Sequence, residues 1–102
     1  MNTQHLKYAV EVERTGSITQ AADNLYMAQP NLSKAIKELE DTLGISIFRR
    51  TSKGVVPTEK GAEFLVYAKR ILTQLEKVEA LNLPRTESRQ SFGVSVPRVS
   101  YI

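Results

Sequence analysis

The apolar positions in the first part of the chain recur with the spacing of α-helices. Between Thr3 and Arg14 they fall three and four residues apart, which predicts an amphipathic helix. Gly16 is expected to end this helix, because glycine readily adopts the positive φ of a C-cap. Ser17 then has the character of an N-cap, and Gln20 predicts a capping box at the start of a second, short helix.

A third helix is predicted after a short link that covers residues 26–28. Pro30 suits its first turn, where the N–H that proline lacks would have no intrahelical partner, and Gly44 favours an end at that position. The second and third helices with their short link are typical of a helix-turn-helix. Four apolar residues of the third helix form one stripe, at steps of four, three and four: Leu32, Ile36, Leu39 and Leu43.

The segment that follows predicts a small β-hairpin. Ile45–Ile47 alternates apolar and polar residues like a short strand, and Phe48 comes directly after it. Val55-Val56 is expected to pair back across a turn at residues 51–54, where Gly54 supplies a permissive position.

Thr58 is the expected N-cap of a fourth, long helix that runs to about Leu83. Apolar residues recur along it at alternating steps of four and three, as in a coiled-coil seam. The short bundle before it buries too little surface to cover so long a helix, so the seam predicts dimerisation; packing against the chain's own helices is the alternative. The predicted dimerisation residues are Phe64, Ala68, Ile71, Leu72, Leu75 and Val78.

The composition changes after the fourth helix. Residues 84–91 are polar and begin with proline, which is typical of a hinge. Residues 92–96 alternate like a strand, and a single strand cannot bury itself. We expect this segment to open a further domain of a longer protein; a loose tail is the alternative. The predicted organisation is a helix-turn-helix domain with a hairpin over 1–58, a linker helix over 59–83, a hinge over 84–91 and a first strand over 92–102.

Composition excludes several classes of protein. A chain of 102 residues, 41% hydrophobic and 25% charged, is expected to fold as one small domain, with at most the start of another. It has no Cys and a single His, so disulfides and thiolate sites are excluded, and no catalytic group, metal or cofactor is predicted. No apolar run has the length of a membrane span, and the first residues lack a secretory pattern, which predicts a cytoplasmic protein.

The net charge of +3 is concentrated locally. Arg49, Arg50 and Lys53 carry all the charge between residues 42 and 58, which suits a hairpin wing that lies along phosphates or reaches into the minor groove of DNA. The first turns of the second helix of a helix-turn-helix enter the major groove. The residues expected to contact base edges there are Gln29, Pro30, Asn31 and Lys34, and those expected to hold the DNA backbone are Ser33 and Lys37.

Residues 1–83 resemble the N-terminal DNA-binding region of LysR-type transcriptional regulators. The resemblance extends over about four fifths of the chain in a single register. The matching motifs are Leu6-Lys7-Tyr8, Gly16-Ser17-Ile18, Ala21-Ala22-Asp23-Asn24-Leu25, Gln29-Pro30, Leu32-Ser33, Ile36, Leu39-Glu40, Leu43-Gly44, Phe48-Arg49-Arg50 and Thr58-Glu59-Lys60-Gly61.

The resemblance implies a winged helix-turn-helix, a linker helix that pairs antiparallel in a homodimer, and assembly commonly into homotetramers. It also implies a separate domain that senses a small-molecule effector, with residues 92–102 as its opening strand. By the same similarity Gln29, Pro30, Ser33 and Lys34 take the family's groove-reading positions, and Arg50 and Lys53 its wing.

Three positions depart from the family's pattern. Ala28 stands where Ser or Thr is usual, which removes a cap or phosphate contact. Lys34 replaces the more usual Arg and so lacks the planar fork that grips guanine at two points. Arg49 stands where an acidic residue is common, so this wing is expected to be unusually basic.

The sequence therefore predicts a mainly all-α protein, a winged helix-turn-helix with a long C-terminal dimerisation helix. The predicted function is sequence-specific binding of double-stranded DNA in transcriptional regulation, without catalysis. The alternative is a protein-interaction module on the same scaffold, in which the basic side chains only solvate the surface.

Overall fold

The computed structural model describes residues 1–81, which form four helices and one hairpin. The predicted hinge at 84–91 and the predicted strand at 92–102 lie outside the described residues. None of the described helices is both long enough and apolar enough to cross a membrane. The elements are α1 (Thr3–Thr15), α2 (Ile18–Asn24), α3 (Gln29–Leu43), β1 (Phe48–Thr51), β2 (Gly54–Pro57) and α4 (Glu59–Ala80).

The junction of α1 and α2 follows the sequence prediction in part. Gly16 ends α1 in the left-handed region, with φ 69°, and its N–H donates to the carbonyl of Val12 at 2.8 Å. Ser17 Oγ accepts from the N–H of Gln20 at 3.0 Å, as expected of an N-cap. The second half of the predicted capping box is wrong, because the Gln20 side chain donates instead to Asn24 Oδ1 at 2.9 Å.

Helix α3 carries the centre of the core. Leu32 and Leu39 are completely buried and Ile36 is nearly so, while Leu43 packs at the edge of the core. The small side chains Ala21 and Ala22 of α2 are also buried, which lets helix backbones approach closely. The core cluster is Ala9, Val12, Ala21, Ala22, Leu32, Ile36, Leu39, Ile47 and Leu65.

The hairpin begins three residues later than the sequence predicts. Ile45–Ile47 is not a strand; β1 starts at Phe48 and pairs antiparallel with β2, from Phe48 opposite Pro57 to Thr51 opposite Gly54. The carbonyl of Ile47 accepts from the N–H of Thr58 at 2.8 Å. The alternation at 45–47 therefore reflects a buried Ile47 in a connecting segment and not a sheet edge.

The start of α4 is fixed to the segment before the hairpin. Thr58 Oγ1 caps the helix by accepting from the N–H of Gly61 at 2.9 Å, and it donates to the carbonyl of Ser46. Gly61 is buried so closely against Ile47 that a Cβ there would lie 2.0 Å from the Ile47 carbonyl oxygen. Only glycine fits this contact, which accounts for the Thr58–Gly61 motif.

Part of the apolar seam of α4 is buried in the core of the chain, and part of it is exposed. Residues 1–72 form one compact unit, within which Leu65 and Ala68 are completely buried and Phe64 packs against the core. The prediction that Ala68 serves dimerisation is therefore wrong, because its side chain is enclosed by its own chain. Ile71, in contrast, is 46% exposed.

The remaining described part of α4 belongs to the second unit. In it Leu75 is half-buried and Val78 is 56% exposed. These two positions leave apolar surface available for a contact outside the chain.

Candidate nucleic-acid interface

One face of the first turns of α3 is exposed, opposite the buried Leu32. Pro30, Asn31 and Lys34 are exposed, and Lys34 forms no ion pair within residues 1–81. The helix begins after Ala28, whose side chain makes no capping hydrogen bond. Backbone N–H groups at this helix start are therefore free of a side-chain cap, and such groups favour an anion.

Gln29 and Ser33 lie one turn apart and are bonded to each other. Both are half-buried, and Gln29 Nε2 donates to Ser33 Oγ at 2.9 Å. The contact holds the Gln29 amide along the helix and leaves its carbonyl oxygen available. The sequence prediction placed both residues on the interface, and the structure places them beside each other next to exposed Lys34.

Lys37 has a partner on its own helix. Its Nζ lies 3.7 Å from Asp41 Oδ1, and both side chains are exposed. An exposed pair at this distance contributes about 0–1 kcal/mol, so it gives way readily to a phosphate. Asp41 lies near the C-terminal end of α3, so the N-terminal half of the helix keeps a net positive charge.

The hairpin presents three cations, and none of them is in an ion pair within the described part of the chain. Arg49 and Arg50 stand on β1 opposite Val56 and Val55, and Lys53 lies in the turn. All three side chains are exposed. The hairpin therefore carries an exposed cluster of positive charge.

A groove of about 200 Å³ runs between α3 and the hairpin, and we call it the α3–hairpin groove. Helix α3 contributes Ser33 and Lys37 to it, and β1 contributes Arg49 and Arg50. Four of the predicted site residues therefore share one concave surface. Gln29, Pro30, Asn31, Lys34 and Lys53 are not among its lining residues.

Glu40 is a positioning residue for which the sequence analysis predicts no role. Its Oε2 accepts from the N–H of Ile47 at 2.7 Å and from that of Phe48 at 3.3 Å. An acidic side chain in the last turns of a helix opposes the macrodipole, but here its charge is satisfied by two backbone donors. Glu40 thereby ties the end of α3 to the start of the hairpin.

A second tie joins the hairpin to the turn between α1 and α2. The N–H of Val55 donates to the carbonyl of Gly16 at 3.0 Å. A Cβ at Gly54, whose φ is 145°, would lie 2.2 Å from the same oxygen. Gly54 is thus required both by its backbone conformation and by this close approach.

Glu11 connects α1 with the end of α2. Its carboxylate accepts from Arg14 Nε at 3.0 Å and from Asn24 Nδ2 at 2.7 Å. The hydrogen bond from Arg14, followed by that from Asn24, holds the pKa of Glu11 below its usual value. The network fixes the short helix that precedes α3.

Tyr26 is the left-handed residue of the cap that ends α2. The N–H of Met27 donates to the carbonyl of Ala22 at 2.9 Å, and that of Tyr26 to the carbonyl of Asp23 at 3.2 Å, as in a Schellman motif. Tyr26 has φ 57°, the one positive value among the described non-glycine residues, and its side chain is 97% exposed. Left-handed backbone at a bulky residue costs roughly 1–3 kcal/mol. No glycine or asparagine marks this position, so the sequence gives no signal for the conformation.

Residues 1–81 hold no cluster of three or more potential metal ligands. The single His5 lies near the start of α1, and its ring is 6.3 Å from that of Tyr8 between centroids, in a tilted arrangement. The polar side chains on the exposed face of the first turns of α3 and on the hairpin are lysines, arginines, amides and hydroxyls. Such groups bind phosphates and base edges.

Sequence comparison decides the family. The family model described as "Bacterial regulatory helix-turn-helix protein, lysR family" matches residues 3–62. The chain belongs to this family. It is 42% identical over 79 residues to the nitrogen assimilation regulatory protein nac of Klebsiella aerogenes, an alignment that covers 78% of this chain and 26% of that relative.

Two solved structures of complexes with DNA have a similar fold. One is the BenM_DBD/benA site 1 DNA complex, with a TM-score of 0.76, 40% identity and coverage of 79% of this chain and 91% of that chain. The other is the CbnR_DBD–DNA complex, with a TM-score of 0.75, 31% identity and coverage of 79% and 93%. The expected family and the winged helix-turn-helix class are confirmed. The chain spans about a quarter of the length of the curated relatives it matches.

Proposed function

We propose that this lysR-family chain binds double-stranded DNA sequence-specifically and thereby regulates transcription. The observation that carries the proposal is the exposed, cationic front of α3, with Lys34 outside the core and free of ion pairs within residues 1–81. The relatives named above are a regulatory protein and two DNA-bound domains, which supports the same conclusion.

Helix α3 is proposed to enter the major groove with its N-terminal turns first. Lys34 donates to one acceptor of guanine, O6 or N7, and the Gln29 amide suits adenine. Pro30 and Asn31, both exposed at the helix start, contact the bases or their methyl groups. The N–H of Gln29, which no side chain caps, attracts a phosphate at the groove edge.

The wing supplies affinity more than discrimination. Arg49 and Arg50 flank the α3–hairpin groove with Lys37, where a phosphate of the backbone is held between the two elements. Lys53 at the hairpin tip reaches towards the minor groove. If each of the four cations assigned to the DNA backbone, Lys37, Arg49, Arg50 and Lys53, neutralises one phosphate, the logarithm of affinity falls with that of salt by about 3.6 per subunit.

Dimerisation is proposed along the part of the seam that the core leaves free. Ile71, Leu72, Leu75 and Val78 keep exposed or half-exposed apolar surface, and Phe64 adds its outer edge. A twofold dimer places two α3 helices on the half-sites of an inverted repeat. Two dimers form a tetramer on longer operators.

The whole protein is proposed to respond to a small-molecule effector through a domain that continues from residues 92–102. It acts in the compartment that holds the chromosome, the cytoplasm in a bacterium. Its proposed role is binding and not catalysis, in keeping with the regulatory protein to which it is similar.

Electrophoretic mobility shift on a random duplex at low salt, followed by selection from a random library, tests the proposal. We expect a shift with the full chain and recovery of a partly palindromic site. The double variant Arg50→Ala/Lys53→Ala should weaken the shift on every sequence, whereas the control Lys77→Ala on α4 should not. A protein-interaction module would give no shift at any protein concentration, and that result would overturn the proposal.

A further inference from the structure

The fold accounts for the backbone of Tyr26, which closes α2, but gives its side chain no role. The N–H of Met27 donates to the carbonyl of Ala22 at 2.9 Å, as in a Schellman cap with a left-handed residue at position 26. The backbone of Tyr26 is left-handed, with φ 57°, and its side chain is 97% exposed, so the ring buries almost no surface. Asparagine or glycine would hold the same turn with less strain. A bulky aromatic residue is therefore kept at a cap position that favours glycine or asparagine, although its ring buries almost no surface.

The position of Tyr26 in the chain sets where the side chain can act. It stands two residues before the N-cap Ala28 and three before Gln29, the first residue of α3. Three residues span at most about 11 Å, so Tyr26 lies close to the helix end that the proposed function inserts into the groove. The major groove is about 12 Å wide and bordered by phosphates on both sides.

We propose that Tyr26 is a further DNA-contact residue, whose hydroxyl donates a hydrogen bond to a backbone phosphate beside the major groove. Tyrosine hydroxyls are among the usual donors to DNA phosphates. Ala28, which has no hydroxyl to offer, makes no cap contact, and Tyr26 supplies a donor from the turn just before it. The inference rests on the proposed function, because it assigns one more contact to the same surface.

The hydroxyl of Tyr26 is uncharged, which gives this contact a distinct signature. A neutral donor releases no counterion, so its loss weakens binding without changing the salt slope. A phosphate contact also carries no sequence information. Loss of the hydroxyl therefore weakens specific and random DNA by the same factor, unlike loss of a group that reads bases.

Fluorescence anisotropy with a labelled random duplex, at several salt concentrations, tests the inference on the full chain. We expect Tyr26→Phe to bind about threefold to tenfold more weakly, the range of one ordinary hydrogen bond, with an unchanged salt slope. Tyr26→Asn should bind at least as weakly while its thermal midpoint stays at or above that of the wild type. The control is Tyr67→Phe, an exposed tyrosine on α4, which should bind as the wild type does.

Each outcome decides a separate point. A wild-type chain that binds no duplex overturns the proposed function itself. A wild type that binds, with Tyr26→Phe of equal affinity, overturns the hydroxyl contact while leaving the proposed function intact. The same holds if Tyr67→Phe loses affinity as much as Tyr26→Phe, because the loss would then not belong to the turn.

Discussion

The carboxylate of Glu40 accepts a hydrogen bond from the backbone N–H of Ile47 at 2.7 Å. Because the N–H of Phe48 reaches the same oxygen at 3.3 Å, one side chain on α3 holds the residues where β1 begins. The helix proposed to read bases and the hairpin proposed to grip phosphates are thus connected through a single charged group.

Replacing Glu40 by Ala should destabilise the fold by about 2 kcal/mol, since two part-buried N–H groups lose a charged acceptor. Urea unfolding followed by circular dichroism measures the loss. Glu38→Ala is the matched control, because Glu38 is an exposed acidic residue on the same helix and has no hydrogen bond or ion pair among the described residues. Equal losses in both variants would show that the contact to Ile47 contributes nothing.

Gly61→Ala should be disruptive although alanine favours helices. The added Cβ would lie 2.0 Å from the Ile47 carbonyl oxygen, so α4 must shift from the core, at a cost of about 2–3 kcal/mol. Gly44→Ala is the comparison that separates steric crowding from backbone conformation. Gly44 has φ 73° but open space where a Cβ would lie, so this substitution should cost about 1 kcal/mol. A smaller loss at position 61 than at 44, measured by urea unfolding, would contradict the close contact.

The Glu11 network makes stability depend on pH. Hydrogen bonds from Arg14 and Asn24 lower the folded-state pKa of Glu11 below 4.5, the value of the free side chain. A lowered pKa stabilises the fold above the unfolded-state value, and the contribution is lost as the pH falls through the folded-state pKa. Wild type should therefore lose more stability than Glu11→Gln between neutral pH and a pH well below 4.5.

Chemical unfolding at several pH values gives this comparison directly. At neutral pH Glu11→Gln should be the less stable protein, and the two curves should converge in acid. Parallel curves over the whole range would mean that the carboxylate contributes no linkage. The control is Glu38→Gln, which removes an exposed carboxylate and leaves the Glu11 network intact, so its curve should run parallel to that of the wild type.

A charge placed on the free part of the seam should weaken self-association. Val78 is 56% exposed, and Val78→Lys would bring two ammonium groups into an apolar contact between chains. Sedimentation velocity should show the dimer dissociation constant rising at least about tenfold, which equals about 1.4 kcal/mol. Gln74→Lys adds the same charge at an exposed polar position and should leave the constant unchanged. Equal effects of the two substitutions on the dissociation constant would contradict the proposal that Val78 lies in the dimer interface.

The helices could be predicted from the sequence because their ends carry local signals. Gly16, Ser17, Gly44 and Thr58 each act within one turn of the chain, and the structure places a helix end or start at every one of them. The strand at 45–47 was predicted wrongly because alternation also arises when one residue, Ile47, is buried in a loop. Its backbone groups bond to Glu40 and Thr58, which are distant in the sequence.

Some features of the candidate site could likewise be predicted from the sequence, and others could not. The exposure of Lys34, Arg49 and Lys53 follows from helix and hairpin patterns that the sequence shows. The role of Glu40 and the burial of Ala68 do not, because each depends on where another segment lies in space. The left-handed Tyr26 arises locally, at the end of α2, but no glycine or asparagine marks it in the sequence. The apolar seam of α4 has the same sequence pattern whether it packs against the chain's own core or against a second copy, so the sequence alone does not separate Ala68 from Val78.

Binding of Lys34→Ala and Lys53→Ala to a selected site and to random duplex, each across a range of salt, tests the central claim most directly. If the front of α3 reads bases, Lys34→Ala loses about 1–3 kcal/mol of discrimination at one base step in each half-site. Lys53 is proposed to contact a phosphate, so Lys53→Ala weakens binding to both DNAs alike and lowers the salt slope by about 1 per subunit. Two variants that behave identically on specific and random DNA would contradict the account.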